Sequence, residues 1–331
     1  MSLLAASATP ESDQETGDFL RAVLDGLSQR PRSIPPKFFY DETGSRLFEK
    51  ICQAPEYYPT RTELGILHRH AEAIARRVGS GCVLVEPGSG SSDKLRALLG
   101  HLRPRQYVPV DISGTYMRKA AAALARDYPW LPVRAACADF TRASGLLSAL
   151  PGGGRRVVFF PGSSIGNFEM SEARKLLGLL ARAAGQDGGL LIGVDLQKDP
   201  AVLEAAYDDA AGVTAAFNLN LLARANRQLQ ADFDLQGFAH RAVYDPGHAR
   251  VQMYLDSLRS QRVTVAGRRF DFRAQESIHT ENAYKYTVEG FSRLAASAGF
   301  RLEEAWTDER GFFSVQYYAV AGARRHPMPC E

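Results

Sequence analysis

The sequence has little cysteine and nothing arranged like a metal site. Four cysteines, Cys52, Cys82, Cys137 and Cys330, are scattered through 331 residues with no Cys-x-x-Cys pair. That usage excludes a disulfide scaffold and reads as free thiols in a reducing cytoplasm. The seven histidines are equally dispersed, and His68-Arg69-His70 has the wrong spacing for two ligands on one helical face. No metal is therefore expected. No apolar run approaches the roughly 20 residues that span a bilayer. Met1 to Thr16 lacks a basic n-region and a long apolar core, so it does not read as a signal peptide. A charge excess is missing too: 40 Lys+Arg face 37 Asp+Glu, a formal net charge of +3. Such a balance argues against broad capture of nucleic acid or acidic membrane. What is present is an ordinary globular composition, long enough for two domains or for one with a large insertion.

Residues 1–14 are small and polar and are expected to be disordered. From Asp18 the pattern is helical, with Phe19, Leu20, Val23, Leu24 and Leu27 on one stripe until Pro31, Pro35 and Pro36. A turn-rich aromatic stretch follows, with Ser45 placed to cap a short helix through Cys52. Thr60 and Glu63 have capping-box spacing, which predicts a helix from there to about Val78. The middle then alternates strands with helices. Strands are expected at Val83–Glu86, Tyr107–Asp111, Val133–Ala136, Arg156–Phe160 and Gly189–Asp195. Such βαβ alternation gives a parallel sheet with helices on both faces. It stops after Asp195. Residues 198–240 read as helical and 241–281 as richer in strand. A helix near Thr287–Ala298 and two strands close the chain. The expected fold is α/β, with a Rossmann-like domain interrupted by a second one.

A glycine loop after the first strand of such a sheet holds a nucleotide at the carboxyl edge. Gly88 and Gly90 fit a dinucleotide fingerprint, but its third glycine is replaced by Asp93, and the Gly-Lys-Ser/Thr of a P-loop is absent. Glu86 just before the loop is awkward beside a pyrophosphate and suits a cofactor with a cationic part. Asp111 ends the second strand, where an acid accepts ribose hydroxyls. Asp139 and Phe140 follow the third, where an acid accepts from an adenine amine and a ring packs on it. Glu86, Gly88, Gly90, Asp111 and Asp139 in this order point to S-adenosylmethionine (SAM), which has an amine and a sulfonium but no phosphate. The bland alternative is a tight strand-to-helix turn.

The segment after the fourth strand reads Phe160-Pro161-Gly162-Ser163-Ser164-Ile165-Gly166-Asn167-Phe168. It lacks the Asn/Asp-Pro-Pro-aromatic motif of methyltransferases acting on DNA bases or protein glutamine. Gly162 and Gly166 allow close backbone approach, and Asn167 offers both a donor and an acceptor to a carboxylate and an amine. Equally, Asn167 could simply cap the next helix.

Four motifs, Lys37-Phe-Phe-Tyr-Asp-Glu-Thr-Gly-Ser45, Pro55-Glu-Tyr-Tyr-Pro-Thr-Arg-Thr-Glu63, Gly162-Ser-Ser-Ile-Gly-Asn167 and Tyr207-Asp-Asp-Ala-Ala-Gly-Val-Thr-Ala-Ala-Phe-Asn218, resemble the SAM-dependent L-histidine Nα-methyltransferases of ergothioneine biosynthesis. The resemblance runs from about residue 18 to 322. It implies a seven-stranded SAM-binding domain of residues 62–197 and 287–324. An α+β substrate-binding domain would comprise 15–61 and 198–286. It implies three successive methylations of the histidine α-amine, giving hercynine. Asn167 and Tyr207 would hold the substrate carboxylate, with Tyr57 and Gly162 in the same pocket. Tyr40 and Asn167 would stand at the reacting amine, with Phe48 closing over it. Glu281 would accept from the imidazole, with Met253 beside it. Tyr40, Glu86, Gly88, Gly90, Lys94, Asp111, Asp139 and Phe140 would hold SAM. A cytoplasmic monomer acting on a small amino acid is expected, without nucleic acid or membrane.

These positions have plainer readings. Met253 could be core filler, Lys94 a solvated charge, and Glu281 the helical partner of Lys285. One position departs from the family: the serine two residues after the imidazole-binding acid is Ala283 here. A lost hydrogen bond of this type is worth about 0.5–1.5 kcal/mol. Rival readings are the same chemistry on another amino acid, such as tryptophan or a histidine derivative, and a non-catalytic SAM- or amino-acid-binding protein. A nucleic-acid methyltransferase is opposed by the missing double proline.

Overall fold

The computed structural model describes residues 11–90, 92–112 and 114–322. The expectations for residues 1–10, Ser91, Cys330 and the end of the last domain segment fall outside them, whereas residues 11–14, expected to be disordered, begin the helix Glu11–Ser28. The chain forms two compact units. One runs up to Tyr57 and resumes over Pro200–Asn282, and the other comprises Tyr58–Asp199 and the chain from Ala283. The divisions lie a few residues from those expected. The helix placed at Thr60 already starts at Tyr58, and Tyr286 bonds through its N–H to the Asp195 carbonyl.

The second unit is built on a seven-stranded sheet. Its spatial order is Phe300–Thr307, Phe313–Val320, Gly189–Asp195, Arg156–Phe160, Val83–Pro87, Gln106–Asp111 and Ala136–Cys137. Only Phe313–Val320 runs antiparallel to its neighbours. The inner strands are continuous apolar runs because both faces are covered, as parallel sheets require. Val85, Val108, Val158 and Ile192 pack on one face with the helix Met170–Ala184. Leu84, Tyr107, Val157 and Leu191 pack on the other with Ile66, Ile74 and Leu98. The strand order turns back between Val83–Pro87 and Arg156–Phe160, which is where such sheets open a ligand crevice.

Two local expectations change here. The third strand is only Ala136–Cys137, with a single bridge from Val133 to Tyr107, since Pro132 precedes it and it lies at the sheet edge. The helix expected from Thr60 to Val78 is two, Tyr58–Arg69 and Ala71–Val78.

In the first unit a four-stranded sheet has the order Arg32–Ser33, Ser277–Tyr284, Arg250–Ser257, Phe238–Asp245. The helices Glu11–Ser28 and Val213–Leu229 supply Phe19, Val23, Leu27, Phe217 and Leu221 to its core. The 241–281 region is strand as expected, but the first of these strands begins at Phe238, inside the stretch read as helical. Among the described residues no helix is long and apolar enough to cross a membrane, and no group of three or more His, Cys, Asp or Glu could hold a metal ion.

Candidate functional site

Within the second unit, the glycine loop and the two neighbouring strand ends come together at the carboxyl edge. Register places Glu86 beside Pro109 and Asp111 beside Cys137. The loop is turned by Gly88 at φ +68° and Gly90 at φ +42°, conformations that favour glycine. A Cβ on Gly88 would lie 3.3 Å from the Phe140 ring, which also packs edge-on against Phe160. Phe140 is thereby fixed at the loop. The Asp139 carboxylate turns back on its own segment, accepting from the Thr141 N–H at 2.9 Å.

Glu86 is 1% exposed and accepts from the Tyr107 hydroxyl. Burial pushes its carboxyl up to about 8, against the pull of that hydrogen bond and of Lys94. A buried acid so poised gains most from a positive charge brought against it.

Lys94 is not a solvated charge. Its ammonium lies 2.7 Å from Glu63, whose side chain is 1% exposed. Glu63 also accepts from the Gly162 N–H, at 2.9 Å to one oxygen and 3.0 Å to the other. A Cβ on Gly193 would lie 2.0 Å from the same carboxylate, so that strand glycine makes its room. Sequence spacing had assigned Glu63 to a helix cap. It is instead the clamp on the loop after the fourth strand. The readable signals were a lone acid on an otherwise apolar helix face and a glycine inside a fully buried strand.

The same loop is held twice more. Ser163 is left-handed at φ 55°, and its Oγ accepts from the Asp195 N–H at 2.9 Å. Gly166 lies so close to Tyr284 that a Cβ would be 2.8 Å from its carbonyl oxygen. Asn167 ends the 3-10 turn Ser164–Asn167, while the following helix is capped by Glu169 and Glu172. The capping alternative for Asn167 is therefore replaced. Lys285 pairs with Asp195 at 2.8 Å, and Ser277–Tyr284 is a strand, so the helical Glu281–Lys285 pair does not form. Burial raises the Asp195 carboxyl, but Lys285 and Lys198 outweigh it and hold it below its ordinary value. Sequence reading missed Tyr58, Lys198 and Lys285 as partners of Asp195.

In the first unit Tyr40, Phe48, Tyr57 and Tyr207 form a row of edge-to-face rings with centroids 5.6, 6.2 and 6.3 Å apart in turn. Phe217 backs Tyr40 and Phe48. The row starts where it does because Asp41, not Ser45, caps the helix Glu42–Ile51. Its carboxylate accepts from the Gly44 N–H at 2.7 Å, from Asn220 at 2.8 Å and from Arg227 at 2.6 Å. Burial pushes the Tyr57 phenol well up, aided by Tyr207, Cys52, Tyr40 and the Glu281 carboxylate. Tyr57 is thus a hydrogen-bond donor at neutral pH. Glu281 is 6% exposed, and Met253, 2% exposed, belongs to the core of this unit. Ala283 is buried, and the neighbouring Asn282 is engaged by the Gln252 amide and by His279.

A family profile described as histidine-specific methyltransferase, SAM-dependent, matches residues 19–320. The chain belongs to this family. It is 43% identical over 301 residues to the histidine N-alpha-methyltransferase of Mycolicibacterium smegmatis, covering 89% of this chain and 92% of that one. It is 41% identical over 308 residues to the histidine N-alpha-methyltransferase of Mycobacterium tuberculosis, covering 90% and 94%. Ergothioneine biosynthesis protein 1 of Neurospora crassa is 31% identical over 285 residues, 84% of this chain but 32% of that longer protein. This methyltransferase uses SAM and acts on a small molecule. The loop at Gly88, the ring of Phe140 and the buried acid Glu86 suit a cationic, phosphate-free nucleoside.

Two outcomes are expected. The raised value of Glu86 means that the folded chain keeps a proton there which the unfolded chain loses. Its contribution to stability is complete below about pH 4.5 and lost as pH rises through about 8. Glu86→Gln should flatten the fall of the melting temperature between about pH 4.5 and 8; an unchanged slope contradicts the assignment. Lys94→Met, which leaves the Glu63 carboxylate buried without its cation, should cost about 3 kcal/mol in denaturant unfolding. A loss below about 1 kcal/mol would mean that the pair does not brace the loop.

Proposed function

We propose that this chain methylates the α-amine of free L-histidine, up to the trimethylated product hercynine, as a step of ergothioneine biosynthesis. The observation that carries the reading is the histidine-specific family match over residues 19–320, with Glu281 buried at 6% exposure in the same unit as the Tyr57–Tyr207 ring contact. A carboxylate in a low-dielectric pocket favours a partner that donates, and an imidazole N–H does so. The protonated phenol of Tyr57 donates, as a substrate carboxylate requires. Tyr207 and Asn167 take that carboxylate, and Gly162 lets the backbone approach. Tyr40 and Asn167 meet the reacting amine, with Phe48 packed beside it and Met253 behind the imidazole.

Tyr40, Glu86, Gly88, Gly90, Lys94, Asp111, Asp139 and Phe140 hold SAM, which when bound supplies an electrophilic methyl on a sulfonium. The chain's own work is to orient a neutral amine lone pair and to exclude water around it. The amine sheds its proton to solvent before the reaction. No general base is assigned, since a phenol with an ordinary pKa near 10 is a poor base at about pH 7. A cytoplasmic monomer with no nucleic-acid or membrane partner agrees with the near-balanced charge.

The test is to incubate the protein with SAM and each free amino acid in turn and to follow methyl gain by mass. Histidine should gain up to three methyls, and tryptophan should react poorly. Glu281→Ala should lower kcat/KM for histidine about 10- to 100-fold, the value of a hydrogen bond to a charged group. Preference for another amino acid, or unchanged histidine kinetics in Glu281→Ala, would overturn the reading.

A further inference from the structure

Tyr207 ends the helix Pro200–Tyr207, and its carbonyl is taken by a side chain. His240 Nε2, on the strand Phe238–Asp245, lies 2.8 Å from that oxygen. The His240 side chain is 1% exposed. Its other ring nitrogen, Nδ1, is 2.8 Å from the amide nitrogen of Asn218, and the same amide nitrogen donates to the Tyr254 carbonyl at 3.0 Å.

These contacts decide the proton positions. A carbonyl only accepts, so the Asn218 group facing Tyr254 is the NH2 end. Nδ1 therefore accepts, and Nε2 carries the hydrogen that goes to Tyr207. The ring is held as one neutral tautomer from both sides. Burial agrees, lowering its pKa against the opposing Tyr207 carbonyl, Asp208, Asp209 and Asp256. Two residues beyond Tyr207, the Asp209 carboxylate accepts from the N–H groups of Val213 and Thr214, at 2.9 and 2.7 Å, and caps the next helix. The segment after Tyr207 is thus pinned at both ends, once by its own acid and once by His240.

We propose that His240 is a positioning residue for amino-acid binding: oriented by Asn218, it fixes the Tyr207 carbonyl and with it the direction of the Tyr207 side chain. This rests on the reading of Tyr207 as a substrate ligand. Its signature is a change in affinity for the amino acid without one for SAM.

The experiment compares steady-state kinetics of His240→Gln, His240→Asn and Tyr207→Phe, with melting temperatures as the folding control. A glutamine amide reaches the place of Nε2 and can still donate to the Tyr207 carbonyl. An asparagine amide reaches only the place of Nδ1. His240→Asn should raise KM for histidine about three- to tenfold, with KM for SAM unchanged. His240→Gln should restore most of the affinity. If His240→Asn does not fold, Asn218→Ser, which frees the ring, should give the same selective rise. Equal losses in the glutamine and asparagine variants, parallel shifts in both KM values, or no shift in histidine KM would overturn the proposal. An unchanged histidine KM in Tyr207→Phe would instead remove the premise about Tyr207.

Discussion

A carboxylate buried to 1% exposure is stable only if its oxygens are met by donors, and Glu63 is met by the Gly162 N–H and the Lys94 ammonium. The geometry of the second unit's site depends on that requirement. Gly193 must lack a side chain to admit the carboxylate, and Gly162 must take a positive φ of +86° to present its N–H. Ser163 is then forced into a left-handed conformation, which the Asp195 N–H stabilises through the serine hydroxyl. Asp195 in turn stays charged in the interior because Lys198 and Lys285 are beside it. The loop that carries Asn167 is therefore set before any ligand arrives, at the cost of a strained residue and buried charge, a trade common at functional sites.

The first unit obtains its order differently. Asp41 collects one backbone and two side-chain donors, and the residue before it, Tyr40, begins the aromatic row. Burial keeps the Tyr57 phenol protonated, while Glu281 lies on the strand Ser277–Tyr284, beside the strand that carries Met253. Donors and an acceptor are thus fixed in a largely apolar setting, where each hydrogen bond counts for more than in water.

Much of the fold was legible in the sequence, because alternating strands and helices leave a strong periodic signal. The apolar runs at Val83, Tyr107, Arg156 and Gly189 became adjacent parallel strands. Asn167 and Tyr207 were singled out by long motifs, Gly88 by its place in a glycine loop after a strand, and Glu281 by the family resemblance. The errors share one cause. Ser45 and the Thr60–Glu63 pair have sound capping patterns, yet Asp41 caps the helix Glu42–Ile51 with help from Asn220 and Arg227, and Glu63 turns to Gly162. Those partners are distant in sequence, so no local window contains them. The Val133 strand shrank for a similar reason: an edge strand has a neighbour on one side only.

The position of the transferred methyl tests the account most directly. With SAM carrying a carbon-13 methyl and histidine as substrate, NMR of the product should show all label on the α-nitrogen, as a single trimethylammonium signal at completion. Label on an imidazole nitrogen, or no label on histidine at all, would contradict the account.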